Sequence, residues 1–354
     1  MTRSRKGPSV TQPATIRDVA RKARVSTATV SRVLAGLNMV SEALASRVHA
    51  VAKELRYQPN RIARSLRART TRTIGVLIPN IQNPFFTGVI RGIEDLLRAT
   101  DYTLLLGNSD DDPQREKQYL DLLRAEGVGG LILVPGLDGP RAYREVVDGG
   151  IPVVAIDRFV PGLAADSVTV ANAEGAAVAV RHLTALGHRR IAIITGPENV
   201  STATERLAGY LTAMAEARLP TDPALILHAP FRPEGGYEAT RKLLALPSPP
   251  RAIFAGSDMT ALGTLRALNE RRLRIPEDVA MVSFDDMPWT AALHPPLTAI
   301  AQPTYELGAT AARLLLARIR EPGRPFERVH LQTQLMVRAS CGAKPTVVPE
   351  ELRP

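Results

Sequence analysis

Thr15-Ile16-Arg17-Asp18-Val19-Ala20-Arg21-Lys22-Ala23-Arg24-Val25-Ser26-Thr27-Ala28-Thr29-Val30-Ser31-Arg32-Val33-Leu34 contains two short helical patterns with a tight turn between them. Behind Thr15, an N-cap residue, Ile16, Val19, Ala20 and Ala23 recur at helical spacing. After Arg24-Val25, Ser26 is positioned to cap a second helix carrying Val30, Val33 and Leu34. Ser41 caps a third, with Leu44, Val48, Val51, Ala52 and Leu55 on one face. Three short helices with only Lys22–Ser26 turning between the first two predict a helix-turn-helix unit. The second helix begins Thr27-Ala28-Thr29-Val30-Ser31-Arg32. Its small side chains let a helix sit deep in the major groove of DNA, and Arg32 can donate a bidentate pair to guanine.

Charge supports that expectation. The chain has 354 residues and a formal net charge of +10. Residues 1–73 hold sixteen Lys or Arg against three acids, a charge of +13, and the remainder is −3. A basic head on a slightly acidic body predicts a polyanionic partner, nucleic acid ahead of anionic membrane; a solubilising tail is the plain alternative. The length predicts two or three domains, and 45% hydrophobic residues argue against wholesale disorder. No run approaches the roughly 20 apolar residues that span a bilayer. Met1–Lys6 leads into polar sequence rather than a signal-peptide core, so a soluble, cytoplasmic protein without a membrane partner is expected. The single cysteine, Cys341, makes neither an internal disulfide nor a zinc cage.

Pro59 ends the third helix, and Asn60 can start a short one of about two turns, unstable without support and so suited to a conditional hinge. Beyond residue 72 short apolar runs (Ile74–Ile78, Tyr102–Leu106, Leu131–Val134, Val153–Ile156, Ile191–Ile194, Ala252–Ala255, Val279–Phe284) alternate with helical segments such as Phe86–Leu97, Gln114–Leu123, Ala173–Leu186 and Thr260–Leu268. Such alternation predicts α/β structure with parallel sheets. About 270 residues exceed one ordinary sheet of this type, so two doubly wound lobes are expected.

Ligands of such sheets bind at the carboxyl ends of the strands. Those ends carry Asn83-Pro84-Phe85-Phe86, Asp157-Arg158, Thr195-Gly196-Pro197 with Arg206 in the next helix, Gly256-Ser257-Asp258, Asp285-Asp286 and Ala301-Gln302. Aromatic rings stack on the apolar face of a sugar, while Asp, Arg, Asn and Gln serve its hydroxyls as donors and acceptors. Each residue has a plainer role: Phe85 and Phe86 as core, Asp258 ordering a turn or the lobe interface, Asp157-Arg158 as a surface ion pair. No Gly-x-Gly-x-x-Gly follows a strand, no Walker loop or Gly-x-Ser-x-Gly elbow occurs, and the six histidines show no metal-ligand spacing. The expectation is a binding protein rather than an enzyme, with no metal and no cofactor.

Three stretches, Thr15–Ala20, Val25–Val33 and Pro59–Leu66, closely resemble the lactose-repressor (LacI/GalR) family of bacterial transcription regulators, and the resemblance runs from Thr15 to about Cys341. It implies a helix-turn-helix head with a hinge helix, followed by a two-lobed body like the periplasmic sugar-binding proteins. The expected division is a flexible basic tail (1–13), the DNA-binding head (14–58), the hinge (59–71), the effector-binding and dimerisation body (72–342) and a C-terminal tail (343–354). Within the body, 72–170 and 304–330 form one lobe, and 171–302 with 331–342 form the other. The DNA-facing set on this basis is Thr15, Ser26, Thr27, Ala28, Thr29, Ser31 and Arg32 in the head, with Asn60, Ala63, Leu66 and Arg67 in the hinge. Thr27, Ala28 and Arg32 take base-reading positions, and Leu66 takes the place of a leucine wedged into the minor groove. Leu44-Ala45 stands where the family often has Thr-Arg, which puts one phosphate contact in question.

In the body, Asn83, Phe85, Phe86, Asp157, Arg158, Arg206, Phe231, Asp285 and Gln302 match the sugar-contacting pattern of ribose-binding periplasmic proteins. Ser257 departs where those proteins carry Asn, and Ala171-Asn172 departs from the usual Asp-Asn. The resemblance implies a homodimeric repressor on a near-palindromic double-stranded operator, released by a ribose-like sugar in the cleft. A purine-responsive or corepressor-dependent regulator is the second reading, although purine-responsive members lack the Asp157-Arg158 pair. A sugar transport receptor is the alternative from another class. No leucine heptad follows Met336, so a dimer rather than a coiled-coil tetramer is expected.

Overall fold

Three short helices close on an apolar centre at the N-terminus. In the computed structural model, which describes residues 14–34, 40–57, 71–136 and 140–343, these are α1 (Ile16–Ala23), α2 (Thr27–Leu34) and α3 (Glu42–Glu54). Asp18 accepts hydrogen bonds from both the backbone N–H and the hydroxyl of Thr15, fixing the start of α1. Arg24 takes a left-handed conformation (φ 54°) to end it. Ser26 Oγ then accepts from the Thr29 N–H at 3.1 Å, capping α2. Val19, Ala20 and Ala23 bury themselves against Val30, Val33, Val48 and Ala52, so the helical spacing read from sequence is the packing face. The chain divides into two units, Met1–Thr71 and Arg72–Pro354. The hinge residues Asn60, Ala63, Leu66 and Arg67 and both chain tails lie outside the described residues.

The second unit holds two six-stranded sheets. The first contains β1 (Thr73–Ile78), β2 (Thr103–Asn108), β3 (Gly130–Leu133), β4 (Val153–Ile156), β5 (Asp166–Val170) and β11 (Arg328–Leu331), ordered β11-β5-β4-β3-β1-β2. The second contains β6 (Ile191–Thr195), β7 (Ile226–His228), β8 (Ala252–Ala255), β9 (Ala280–Phe284), β10 (Thr298–Ala301) and β12 (Gln334–Met336), ordered β12-β10-β9-β8-β6-β7. The two orders are the same pattern. All pairings are parallel except β10 with the edge strand β12. Seven of these strands were legible as apolar runs. Asp166–Val170 and Arg328–Leu331 were not, because polar residues alternate through them.

The linking helices are α4 (Pro84–Arg98), α5 (Pro113–Ala125), α6 (Pro140–Asp148), α7 (Asn172–Ala185), α8 (Ser201–Glu216), α9 (Pro233–Leu244), α10 (Asp258–Glu270), α11 (Pro288–Ala292) and α12 (Thr304–Arg320). The chain passes between sheets three times, after β5, after β10 and after β11, which ties the lobes together and leaves a cleft at their strand ends. In the first lobe α4 and α12 are almost in backbone contact. A Cβ on Gly92 would stand 2.1 Å from the Tyr305 carbonyl oxygen, and one on Gly308 would stand 2.0 Å from that of Val89. That approach holds the start of α4, which carries Asn83, Phe85 and Phe86, on a rigid base.

Candidate functional site

The second helix of the head presents its N-terminal end to solvent. Ser26, Thr27, Ala28 and Arg32 are exposed, while Val30 and Val33 turn inward. Thr29 Oγ1 lies 2.9 Å from Ser26 Oγ, so these two hydroxyls are joined within the cap. Ser31 is half-buried and Thr15 is exposed, its hydroxyl donated to Asp18. A row of small side chains ending in one arginine fits major-groove approach.

In the body, all ten cleft residues named from sequence line one cavity. They arrive from strand ends of both lobes, at and beside the points where strand order reverses in each sheet, where open α/β sheets bind ligands. Asn83 caps α4, its Oδ1 accepting from the Phe85 N–H at 2.9 Å. Phe85 and Phe86 meet edge to face, centroids 5.0 Å apart. Both are core residues and cavity walls at once.

Two carboxylates occupy corresponding positions, Asp157 after β4 and Asp285 after β9. Both residues are left-handed, with φ of 64° and 73°, a conformation that costs about 1–2 kcal/mol outside glycine and aims the side chains off the strand ends. Asp157 and Arg158 are buried, with Arg158 Nε 3.8 Å from Asp157 Oδ2, which excludes the surface ion-pair reading. Arg158 Nη1 donates to Asp111 Oδ1 at 2.8 Å and to the Pro135 carbonyl at 3.3 Å. Arg206 donates from Nε to Asn172 Oδ1 (2.9 Å) and from Nη1 to the Gly256 carbonyl (2.6 Å). Its guanidinium lies over the Phe284 ring at 3.8 Å. Asn172, from the pair that departs from the family pattern, thus positions the arginine, and its own amide donates to Glu205.

Asp285 accepts from Gln302 Nε2 and from the Asp258 N–H. Asp258, the first residue of α10, is itself buried, and burial together with the neighbouring Asp285 carboxylate holds its acid above the ordinary range. Burial likewise pushes Asp157 up to about 6, against the lowering effect of Arg158 and Arg206. Ser257 caps α10, its Oγ accepting from the Thr260 N–H, so its hydroxyl is partly committed before any ligand arrives. Phe231 is held by a void left at Gly196, where a Cβ would sit 2.3 Å from the ring. Two buried polar atoms facing this region, Arg158 Nε and Gln302 Oε1, have no hydrogen-bond partner among the described residues. One offers a proton and the other a lone pair to an occupant.

Four further lining residues escaped the sequence reading: Pro79, Asn80, Asp111 and Thr202. Asp111 stands just past the end of β2, within the run Asp110-Asp111-Asp112, whose pattern matches a solvated loop. Thr202 sits one helical turn before Arg206 on α8, the i, i+4 position that shares its face. Asp286 points elsewhere, pairing with Arg338 through both oxygens at 2.7 and 2.8 Å. Among the described residues no group of His, Cys, Asp or Glu is placed to hold a metal, and no helix is long and apolar enough to cross a membrane.

Comparison with known proteins shows the family. Residues 15–60 match the family described as bacterial regulatory proteins, lacI family, and residues 180–341 match the periplasmic binding protein-like domain. The ribose operon repressor of Haemophilus influenzae is 37% identical over 327 residues, covering 92% of this chain and 98% of that protein. A LacI family transcriptional regulator from Enterococcus faecium, solved with bound ribose, is 35% identical with a TM-score of 0.70, covering 76% of this chain and 98% of that one. The Lac repressor dimer bound to operator and the anti-inducer ONPF gives a TM-score of 0.83 at 27% identity, covering 94% of this chain and all of that one.

Proposed function

The chain belongs to the lacI family of bacterial regulatory proteins, and we propose that it represses carbohydrate-utilisation genes and leaves its operator when a small, ribose-like sugar occupies the cleft. The observation that carries this reading is the convergence of ten residues, most of them at strand ends, on one cavity, with three aromatic rings beside a set of charged and amide groups. Phe85, Phe86 and Phe231 cover the apolar face of the sugar ring. Asp157, Asp285, Asn83 and Gln302 accept from its hydroxyls, and Arg158 and Arg206 donate to them. The protein acts in the cytoplasm as a homodimer, one head per half-site of a near-palindromic operator, without a cofactor. The sugar bridges both lobes and so favours their closed arrangement. Closure weakens the grip of the protein on its operator, and the sugar shifts the balance only by its differential affinity, about 1–3 kcal/mol.

Thermal denaturation with D-ribose tests this, because a ligand of the folded state alone raises its stability. At pH 7.5 D-ribose should raise the melting temperature, and a panel of hexoses, sugar phosphates and purines should raise it less. Lack of any shift with D-ribose refutes the assignment. Acidification carries a signed expectation. The sugar hydroxyls need the ionised carboxylate of Asp157, so affinity should fall about tenfold per unit as pH drops below about 6. The empty protein should respond oppositely. A carboxyl whose native value lies above its unfolded one binds more protons when folded, and its contribution to stability grows as pH falls from about 6 toward 4.

For the head, Arg32→Ala should cost about 1–3 kcal/mol at a single base pair and relax specificity there. Binding to a set of single-base operator variants reads this. Equal loss on every sequence, with a shallower salt dependence, would assign Arg32 to phosphate instead.

A further inference from the structure

The segment after β4 serves two cavities. Asp157 and Arg158 line the cleft, whereas Phe159, Val160 and Leu163 line a second cavity in the first lobe. Its remaining wall comes from β5 and the edge strand β11, including Thr169, Arg328 and His330. Phe159 is 45% exposed despite its size, so an aromatic face stands open at this cavity. The polar groups differ in what they have left to give. Asp166 is fully committed, accepting twice from Arg318 and once from the Glu327 N–H. His330 Nδ1 is shared with Thr169 Oγ1 at 2.8 Å. Arg328 is exposed, and the neighbouring carboxylates Asp166 and Glu327 are taken by Arg318 and Arg324. Among the described residues Arg328 has no ion-pair partner. An apolar wall with one uncompensated guanidinium is complementary to a molecule that is flat, apolar and anionic at one end.

We propose that this cavity is a second ligand site, taking a small ring-bearing carboxylate, and that its occupant orders the segment that carries Asp157 and Arg158 into the cleft. The ring lies against Phe159, Val160 and Leu163, and the carboxylate accepts from Arg328. Ordering residues 159–163 restricts the two residues before them, which connects the cavity to the cleft without a long path.

Calorimetric titration of the full-length protein with sodium benzoate tests the site, with benzyl alcohol and benzylamine as ring controls of other charge. Benzoate should bind with a Kd of about 1 mM or tighter, and at least about tenfold more tightly than either control. Arg328→Gln, on an exposed edge residue, should weaken benzoate by about tenfold or more, and Phe159→Ala should do likewise. Asp285→Ala, which lies in the cleft, should leave benzoate unaffected, so failure of the sugar reading and failure of this one are distinguishable. Hydrogen exchange should slow across 157–165 when benzoate is added. Absence of binding, equal binding of benzylamine, indifference to Arg328→Gln, no slowing across 157–165, or protection centred instead on Asn83–Phe86 would each overturn the proposal.

Discussion

Arg206→Leu should abolish sugar binding and lower the melting temperature of the empty protein by on the order of 10 °C, since breaking a buried charge network costs about 3–5 kcal/mol and each kcal/mol moves a large domain by a few degrees. Arg206 is buried, stacked on Phe284, and bonded to Asn172 and the Gly256 carbonyl. It is also a counter-charge for Asp157, Asp258 and Asp285. Leucine fills part of the volume but leaves these carboxylates without it in a medium that penalises bare charge. The loss should therefore be pH-dependent. Protonating Asp157, whose acid burial already pushes up to about 6, removes uncompensated charge, so the variant should regain stability as pH falls from 7 to 5. Thermal denaturation across that range decides the matter. A variant that melts like the parent at pH 7 would show that the network does not bear on stability.

Asp285→Ala separates binding from folding. The carboxylate accepts from Gln302 and from the Asp258 N–H, and in the proposed sugar complex it is an acceptor for ligand hydroxyls. Losing two charge-assisted hydrogen bonds at about 1.5–3 kcal/mol each should weaken D-ribose by at least about a hundredfold. Stability should change little, because removing the charge also relieves the neighbouring Asp258 acid. Operator affinity without sugar should match that of the parent, since no head residue is touched. Operator release by D-ribose at the parent's concentration would show that the cleft is not the effector site.

Much of this molecule could be read along the chain. Helix periodicity behind Thr15, Ser26 and Ser41 is local, and the structure buries those same apolar faces. Apolar runs became strands because a parallel sheet covered on both faces needs uninterrupted apolar residues. Strands with alternating polarity, Asp166–Val170 and Arg328–Leu331, stayed hidden because their pattern matches a half-exposed strand or a loop equally well.

The sequence by itself determined where charge sits, where helices start, and which polar groups end the strands, since each depends on residues close along the chain. Only the tertiary structure decided which of those groups meet. Asp157 and Arg158 could have been a surface pair, and the approach of two lobes, tied by three crossings, buries them. Ser257 could have been a free ligand hydroxyl, and the start of α10 binds it as a cap. Asp111 drew no notice until folding set it 2.8 Å from Arg158. The cleft joins strand ends from both lobes, and neighbours of that kind are fixed by packing rather than by sequence spacing.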